Sequence, residues 1–143
     1  MMPKIMVRNL QRKVRLDVVD LEEFASKAAA LCLKFTPGNR TDLQQLPEVF
    51  ILIVSDAKIS NLHRRFMNEA GPTDVITFQH GEIFISAEMA RRNAKRFASS
   101  LARELRLYIV HGLLHLHGFD DRNEAGARKM EKIQQKILAQ AEL

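Results

Sequence analysis

The stretch His111-Gly-Leu-Leu-His115-Leu-His-Gly118-Phe-Asp-Asp121 sets two imidazoles one helical turn apart and ends a helix at a glycine just before two carboxylates. At 3.6 residues per turn His111 and His115 share a face, so both rings can reach one ion at about 2.0 to 2.1 Å. Gly118 can take the left-handed conformation that closes a helix, letting the chain double back and offer Asp121 as a third, oxygen ligand. Three protein ligands leave one position of a tetrahedral shell for a water or substrate oxygen, which separates a catalytic site from a structural one. Histidines four residues apart also occur on ordinary surface helices. Here Leu107 to Leu116 is apolar on nearly every side apart from the histidines, which marks a buried helix, and buried imidazoles require partners. The C-terminal end of that helix carries the negative backbone potential that favours a cation.

Outward from this helix, the chain alternates short extended runs with amphipathic segments. Lys4 to Asn9 and Val14 to Val18 read as extended, with Gln11 to Lys13 as a polar break. Asp20 and Glu23 have the spacing of a capping box for a helix to about Phe35, with Phe24, Ala28, Leu31 and Phe35 along one stripe and Pro37-Gly38 beyond its end. Val49 to Val54 reads as a buried strand, Asp56 to about Phe66 as a short helix, and Asn68 to Pro72 as a loop. Thr73 to Phe78 and Glu82 to Ile85 pair as a hairpin. Ser86 caps a helix to about Phe97 with Ala87, Ala90, Ala94 and Phe97 inward; Ser99 or Ser100 starts the histidine helix, and Asn123 a last helix to about Ala141. Strands in the first half and centre with helices around them give an α+β fold, a roughly four-stranded mixed sheet packed on the buried histidine helix.

The composition suits one compact domain over residues 1–143, with 46% hydrophobic residues to build its core. A formal net charge of +5 favours polyanionic partners. Cys32 is the only cysteine, which excludes an intramolecular disulfide and suits a reducing cytoplasm; its place in an apolar stripe assigns it to packing. The opening Met-Met-Pro-Lys-Ile does not read as a signal peptide, and no apolar run reaches membrane-spanning length, so a soluble cytoplasmic protein is expected. Arg91, Arg92, Lys95 and Arg96, and likewise Arg128, Lys129, Lys132 and Lys136, lie opposite apolar stripes, as solvated helix faces require. His63, His80 and His117 read as surface or packing histidines. His117 sits two positions from His115 and so points off the ligand face.

The spacing H-x3-H also resembles the zincin peptidases, whose helix reads H-E-x-x-H with the glutamate as general base. Gly112 stands in the glutamate's place and cannot accept a proton; it is expected to leave room for a bulky substrate beside the ion. More specifically, His111 to Asp120 matches H-G-x-L-H-L-x-G-[YF]-D-H, and the chain resembles the YbeY family of single-strand-specific metallo-endoribonucleases linked to rRNA maturation and ribosome quality control. Pro72-Thr-Asp-Val-Ile-Thr-Phe78 is similar to the family's P-T-D-V-L-S-F strand and Gly81-Glu-Ile-Phe-Ile85 to its G-D-I-x-I strand, so the likeness runs from about Val49 to the C-terminus.

Three departures stand out. Asp121 occupies the third motif histidine's position, which keeps a ligand but adds an anion. Met67 stands where the family has an arginine tied to RNA cleavage, with Arg64 and Arg65 just before it. The connection Gln79-His80 is shorter than the family's, which predicts a tight hairpin. The resemblance implies a zincin-like fold, one zinc ion or another divalent transition metal on His111, His115 and Asp121, and single-stranded RNA, above all rRNA, as substrate. Ribosomal proteins or the ribosome are the implied partners, with no membrane or disulfide partner, and Arg64 and Arg65 beside the cleft-flanking strand are the candidate phosphate contacts. The attacking group would be a water at the ion or the RNA's own 2'-hydroxyl; no general base is evident, and Asp120 is the weak candidate. A zincin-type metallopeptidase and a non-catalytic, metal-stabilised ribosome or RNA-binding factor remain the alternatives.

Overall fold

Four short, largely apolar segments build one sheet, whose side chains alternate between two faces that are both covered by helices. The protein is seen in a computed structural model, which describes residues 2–38 and 42–142; Met1 of the opening segment lies outside them. The elements are β1 (Lys4–Asn9), α1 (Val18–Cys32), β2 (Glu48–Val54), α2 (Asp56–Met67), β3 (Val75–Phe78), β4 (Glu82–Ser86), α3 (Ala87–Arg96), α4 (Leu101–Leu116) and α5 (Glu124–Ala141). A single 3-10 turn, Leu43–Gln45, precedes β2. The strand order is β1-β2-β4-β3, with β1, β2 and β4 parallel and β3 antiparallel to β4. The expected α+β architecture with a four-stranded mixed sheet is therefore present.

The two sheet faces have different roles. Ile5, Val7, Val49, Ile51, Ile53, Ile83 and Ile85 form the larger core together with α1, α4 and α5. On the other face Ile76 and Phe84, direct cross-strand partners, pack with Val54 and with Ile59 of α2. Thr77 lies opposite Ile83 in the same pair, on the α4 side. The hairpin between β3 and β4 turns at Gln79-His80-Gly81, closed by the Gly81 amide on the Phe78 carbonyl at 3.0 Å, so the tight connection read from the sequence is found.

Four local expectations are corrected. Val14 to Val18 is not a strand: the Gln11 side chain accepts from the Val14 amide at 2.9 Å and donates to its carbonyl at 2.8 Å, replacing the ladder bonds a strand would need. Helix α1 is capped three residues before the expected Asp20, because Asp17 is the cap and its carboxylate accepts from the Asp20 amide. Asp20 is thereby free to pair with the Arg106 guanidinium of α4 at 2.9 Å. The same helix stops at Cys32, short of Phe35. Phe97 does not face inward but is 61% exposed. Ala98 takes a left-handed φ of 52° and the Ser99 amide bonds back to the Ala94 carbonyl, a helix-closing turn that swings Phe97 outward. By contrast Ser86 and Asn123 cap their helices as expected, and of the two serines offered for α4 it is Ser100 that caps.

Candidate metal centre

The site is made by the end of α4. His117 is its C-cap; Gly118, with φ of 91°, then takes the left-handed position that a side chain would disfavour. The Gly118 amide bonds to the His115 carbonyl and the Phe119 amide to the Leu114 carbonyl, satisfying carbonyls that the helix end would otherwise leave open. Phe119 folds into the core, and the reversal brings Asp121 back over the two histidines. Ligating atoms of His111, His115 and Asp121 all lie within 4.8 Å of one another.

Ring orientation decides what this group can hold. His115 Nδ1 lies 3.0 Å from the Phe119 carbonyl oxygen, which can only accept, so Nδ1 carries the proton. His111 Nδ1 lies 3.0 Å from Gln134 Oε1 of α5, and the Gln134 amide nitrogen donates to Glu131 at 3.2 Å, which fixes the oxygen toward His111. With Nδ1 carrying the proton, each ring in its neutral form presents an Nε2 lone pair, and the two Nε2 atoms face each other at 3.1 Å. Asp121 carboxylate oxygens stand 3.7 Å from His111 Nε2 and 4.0 Å from His115 Nε2. Two opposed lone pairs beside an anion are a poor arrangement for uncharged rings alone and a good one for a cation. Ligand atoms around a tetrahedral zinc would be about 3.3 Å apart, so this donor set fits the ion with a small closure of Asp121. Burial, then the neighbouring His111, lowers the His115 pKa, with Asp121 among the groups opposing this; the net shift favours the neutral form that ligation needs.

Beside the group lies a cleft of about 140 Å³ lined by His111, Asp121, Ala127, Met130, Glu131 and Gln134. Gln134 and Glu131 are functional neighbours that motif spacing does not point to. The signal was available in part: Gln134, 5% exposed, interrupts the apolar face of α5 between Met130 and Ile137.

Gly112 corrects a further expectation. It offers no room to a substrate, for a Cβ built there would sit 2.6 Å from Ile83 Cγ2 in β4. The glycine instead lets α4 pack closely against Ile83 of β4. His117 is almost wholly buried and outside the group: its Nδ1 accepts from the Leu43 amide at 3.1 Å and its Nε2 donates to the Phe35 carbonyl at 2.8 Å. Asp120 lies outside it as well, turned to the Arg122 amide and guanidinium. His63 contacts the Gly71 carbonyl and Glu69, and His80 pairs with Glu82. Cys32 is buried, which pushes its thiol up to about 12.

Arg64 and Arg65 end α2 on the opposite sheet face from α4, near the free edge of β3. The Arg65 guanidinium lies 5.5 Å over the Phe66 ring, and Phe66 meets Phe78 of β3 edge-on at 5.3 Å. Phe66 and Met67 are exposed. Among the described residues no helix is long and apolar enough to cross a membrane.

Fold and site together define an α+β protein whose helix-borne histidine pair and returning carboxylate form a candidate metal centre. The family model described as Endoribonuclease YbeY matches residues 6–142, and the chain belongs to that family. Proteins named Endoribonuclease YbeY include one from Frankia alni, 34% identical over 114 residues, covering 66% of this chain and 63% of that one. Another, from Moorella thermoacetica, is 39% identical over 111 residues, covering 64% and 71%. The chain spans 63% and 57% of the length of the relatives from Frankia alni and Frankia casuarinae. The solution structure of TM1509 from Thermotoga maritima is similar with a TM-score of 0.66 at 25% identity, covering 96% of this chain and 88% of that one.

Proposed function

We propose that this protein, acting as one domain, is a metal-dependent endoribonuclease that cuts single-stranded RNA. One zinc ion or another divalent transition metal would be held by His111, His115 and Asp121. The observation that carries the reading is the pair of Nε2 atoms facing each other at 3.1 Å beside the Asp121 carboxylate, in a chain of the YbeY family. When bound, such an ion supplies Lewis-acid stabilisation of charge on the phosphoryl oxygens. The chain's own residues do the rest. Arg64 and Arg65, on the sheet face away from α4 and near the β3 edge, would contact phosphates at a distance from the ion, with the exposed Phe66 beside them as an apolar contact for an unpaired base. Asp120, half-buried and turned to Arg122, is the nearest further carboxylate in sequence to the Asp121 ligand and the candidate that Asp120→Ala tests for a part in proton transfer.

The cellular role that follows is rRNA maturation and ribosome quality control in the cytoplasm, with rRNA as substrate and the ribosome or its proteins as partners. A peptidase of zincin type would need a carboxylate at position 112, where Ile83 fills the space. A non-catalytic RNA-binding factor is favoured by one feature, Met67 in place of the family arginine. Elemental analysis of purified protein, followed by cleavage of single-stranded RNA with and without chelator, separates these readings. The proposal expects one ion per chain and chelator-sensitive cleavage. Binding without cleavage by the fully loaded protein selects the RNA-binding factor.

A further inference from the structure

The two histidines are not held in the same way. His115 is oriented from within its own turn, by the Phe119 carbonyl four residues on. His111 is oriented from another helix, through Gln134 of α5. Resting on the metal reading above, we infer that Gln134, locked by Glu131, is a positioning residue for His111 and makes α5 an integral part of the metal centre.

An amide can face an imidazole with either its oxygen or its nitrogen, and the two choices have opposite consequences. With Oε1 toward His111, Nδ1 must carry the proton and Nε2 is left with the lone pair that a metal requires. With the nitrogen toward His111, Nδ1 would accept and Nε2 would carry a hydrogen directed into the site. Glu131 removes this ambiguity. Its carboxylate only accepts, and it takes the Gln134 amide nitrogen at 3.2 Å while its other oxygen takes Gln135 at 3.1 Å. Gln134 is 5% exposed, so its amide depends on these two protein partners more than a surface glutamine would. The relay from Glu131 through Gln134 to His111 thus selects the ligating tautomer and the ring's direction before any ion arrives. Removing such an outer hydrogen bond to a ligating histidine typically lowers metal affinity about 10- to 100-fold.

The test is zinc affinity by chelator competition, paired with long-range 1H–15N NMR of the His111 ring in metal-free protein. Gln134→Met keeps the side chain's length and loses the acceptor. It is expected to lower zinc affinity about 10- to 100-fold while leaving the melting temperature of metal-free protein within a few degrees. Gln134→Glu, which keeps an acceptor, is expected to stay within a few-fold of the parent. Glu131→Gln, which frees the amide to turn over, should fall between and show mixed His111 tautomers. If Gln134→Met instead fails to fold, Glu131→Gln and the NMR spectrum carry the decision. Parent-like affinity in Gln134→Met, or a His111 ring protonated at Nε2 in the metal-free parent, overturns the inference. Failure of the parent protein to bind zinc or cobalt at all overturns the metal reading instead, and the NMR spectrum distinguishes the two failures.

Discussion

Replacing Gly112 by alanine sets two calculable effects against each other. In an exposed helix interior the change would stabilise by roughly 1 kcal/mol, since glycine has more backbone entropy to lose. Here the new methyl would meet three atoms of one side chain, Ile83 Cγ2 at 2.6 Å, Cδ1 at 2.9 Å and Cγ1 at 3.1 Å. Ile83 is wholly buried in β4 between β2 and β3, so it cannot swing aside without displacing the core. Overpacking of this kind costs roughly 1–3 kcal/mol, and the upper part of that range applies because both partners sit on regular elements. The net expectation is a loss of about 1–2 kcal/mol. For a chain of this length that lowers the melting temperature by about 3–8 °C.

Urea denaturation of metal-free Gly112→Ala, Ile83→Ala and the double variant measures the effect and its cause. Ile83→Ala alone should cost about 2–5 kcal/mol by leaving a cavity. The new methyl would partly fill that cavity, so the double variant should be more stable than the sum of the singles by about 1 kcal/mol or more. A stabilised Gly112→Ala, or strict additivity in the double variant, would show that α4 does not need the glycine to reach the sheet. Gly112→Glu should then fail by loss of folding, before any question of RNA access arises.

His111→Ala with His115→Ala should abolish the one-ion stoichiometry in elemental analysis, and full metal content in that double variant would refute the donor set. Asp121→Ala should lower both metal content and RNA cleavage, Asp121→His should keep the metal, and Asp120→Ala should keep the metal even where it slows cleavage; loss of metal in Asp120→Ala but not Asp121→Ala would show the third ligand to be misassigned by one residue. At Asp56, burial raises the carboxyl pKa, but hydrogen bonds from Arg92 and Ser86 with the Arg92 charge outweigh it and hold the pKa below its ordinary value. A depressed carboxylate contributes stability that is present above its unfolded pKa of about 3.8 and is lost as pH falls through the folded value. Thermal melts from pH 7 down to pH 3 should therefore show a shallower acid limb for Asp56→Asn than for the parent protein.

What reads correctly from sequence here is what local chemistry dictates. The apolar runs of β2 and β4, the caps Ser86, Ser100 and Asn123, and the tight turn at Gln79-His80 each have their cause within a few residues. The errors arise where a distant partner decides. Asp20 and Glu23 have capping-box spacing, yet Asp17 captures the helix end while Arg106, 86 residues away, takes Asp20. Val14 has a strand-like composition, but the Gln11 side chain satisfies its backbone groups, leaving none for a ladder. Phe97 continues an alanine stripe by period but falls on the residue where the helix turns away.

The same division runs through the metal centre. His111 and His115 are visible as a pair because a helix places residues four apart on one face, and Asp121 because Gly118 makes the reversal that returns it. Neither rule says which nitrogen each ring presents. For His115 the answer comes from a carbonyl four residues on; for His111 it comes from Gln134, 23 residues on in a different helix. A glutamine inside the Met130, Ile133 and Ile137 face of α5 is the one sequence-level trace of this requirement. A buried amide costs free energy unless it is hydrogen-bonded, so its presence there already implies a polar partner across the helix interface. In the structure that partner is His111. The motif's glycine at position 112 belongs to the same logic, because its missing side chain answers to Ile83 of β4, a distant partner that spacing within α4 does not reveal.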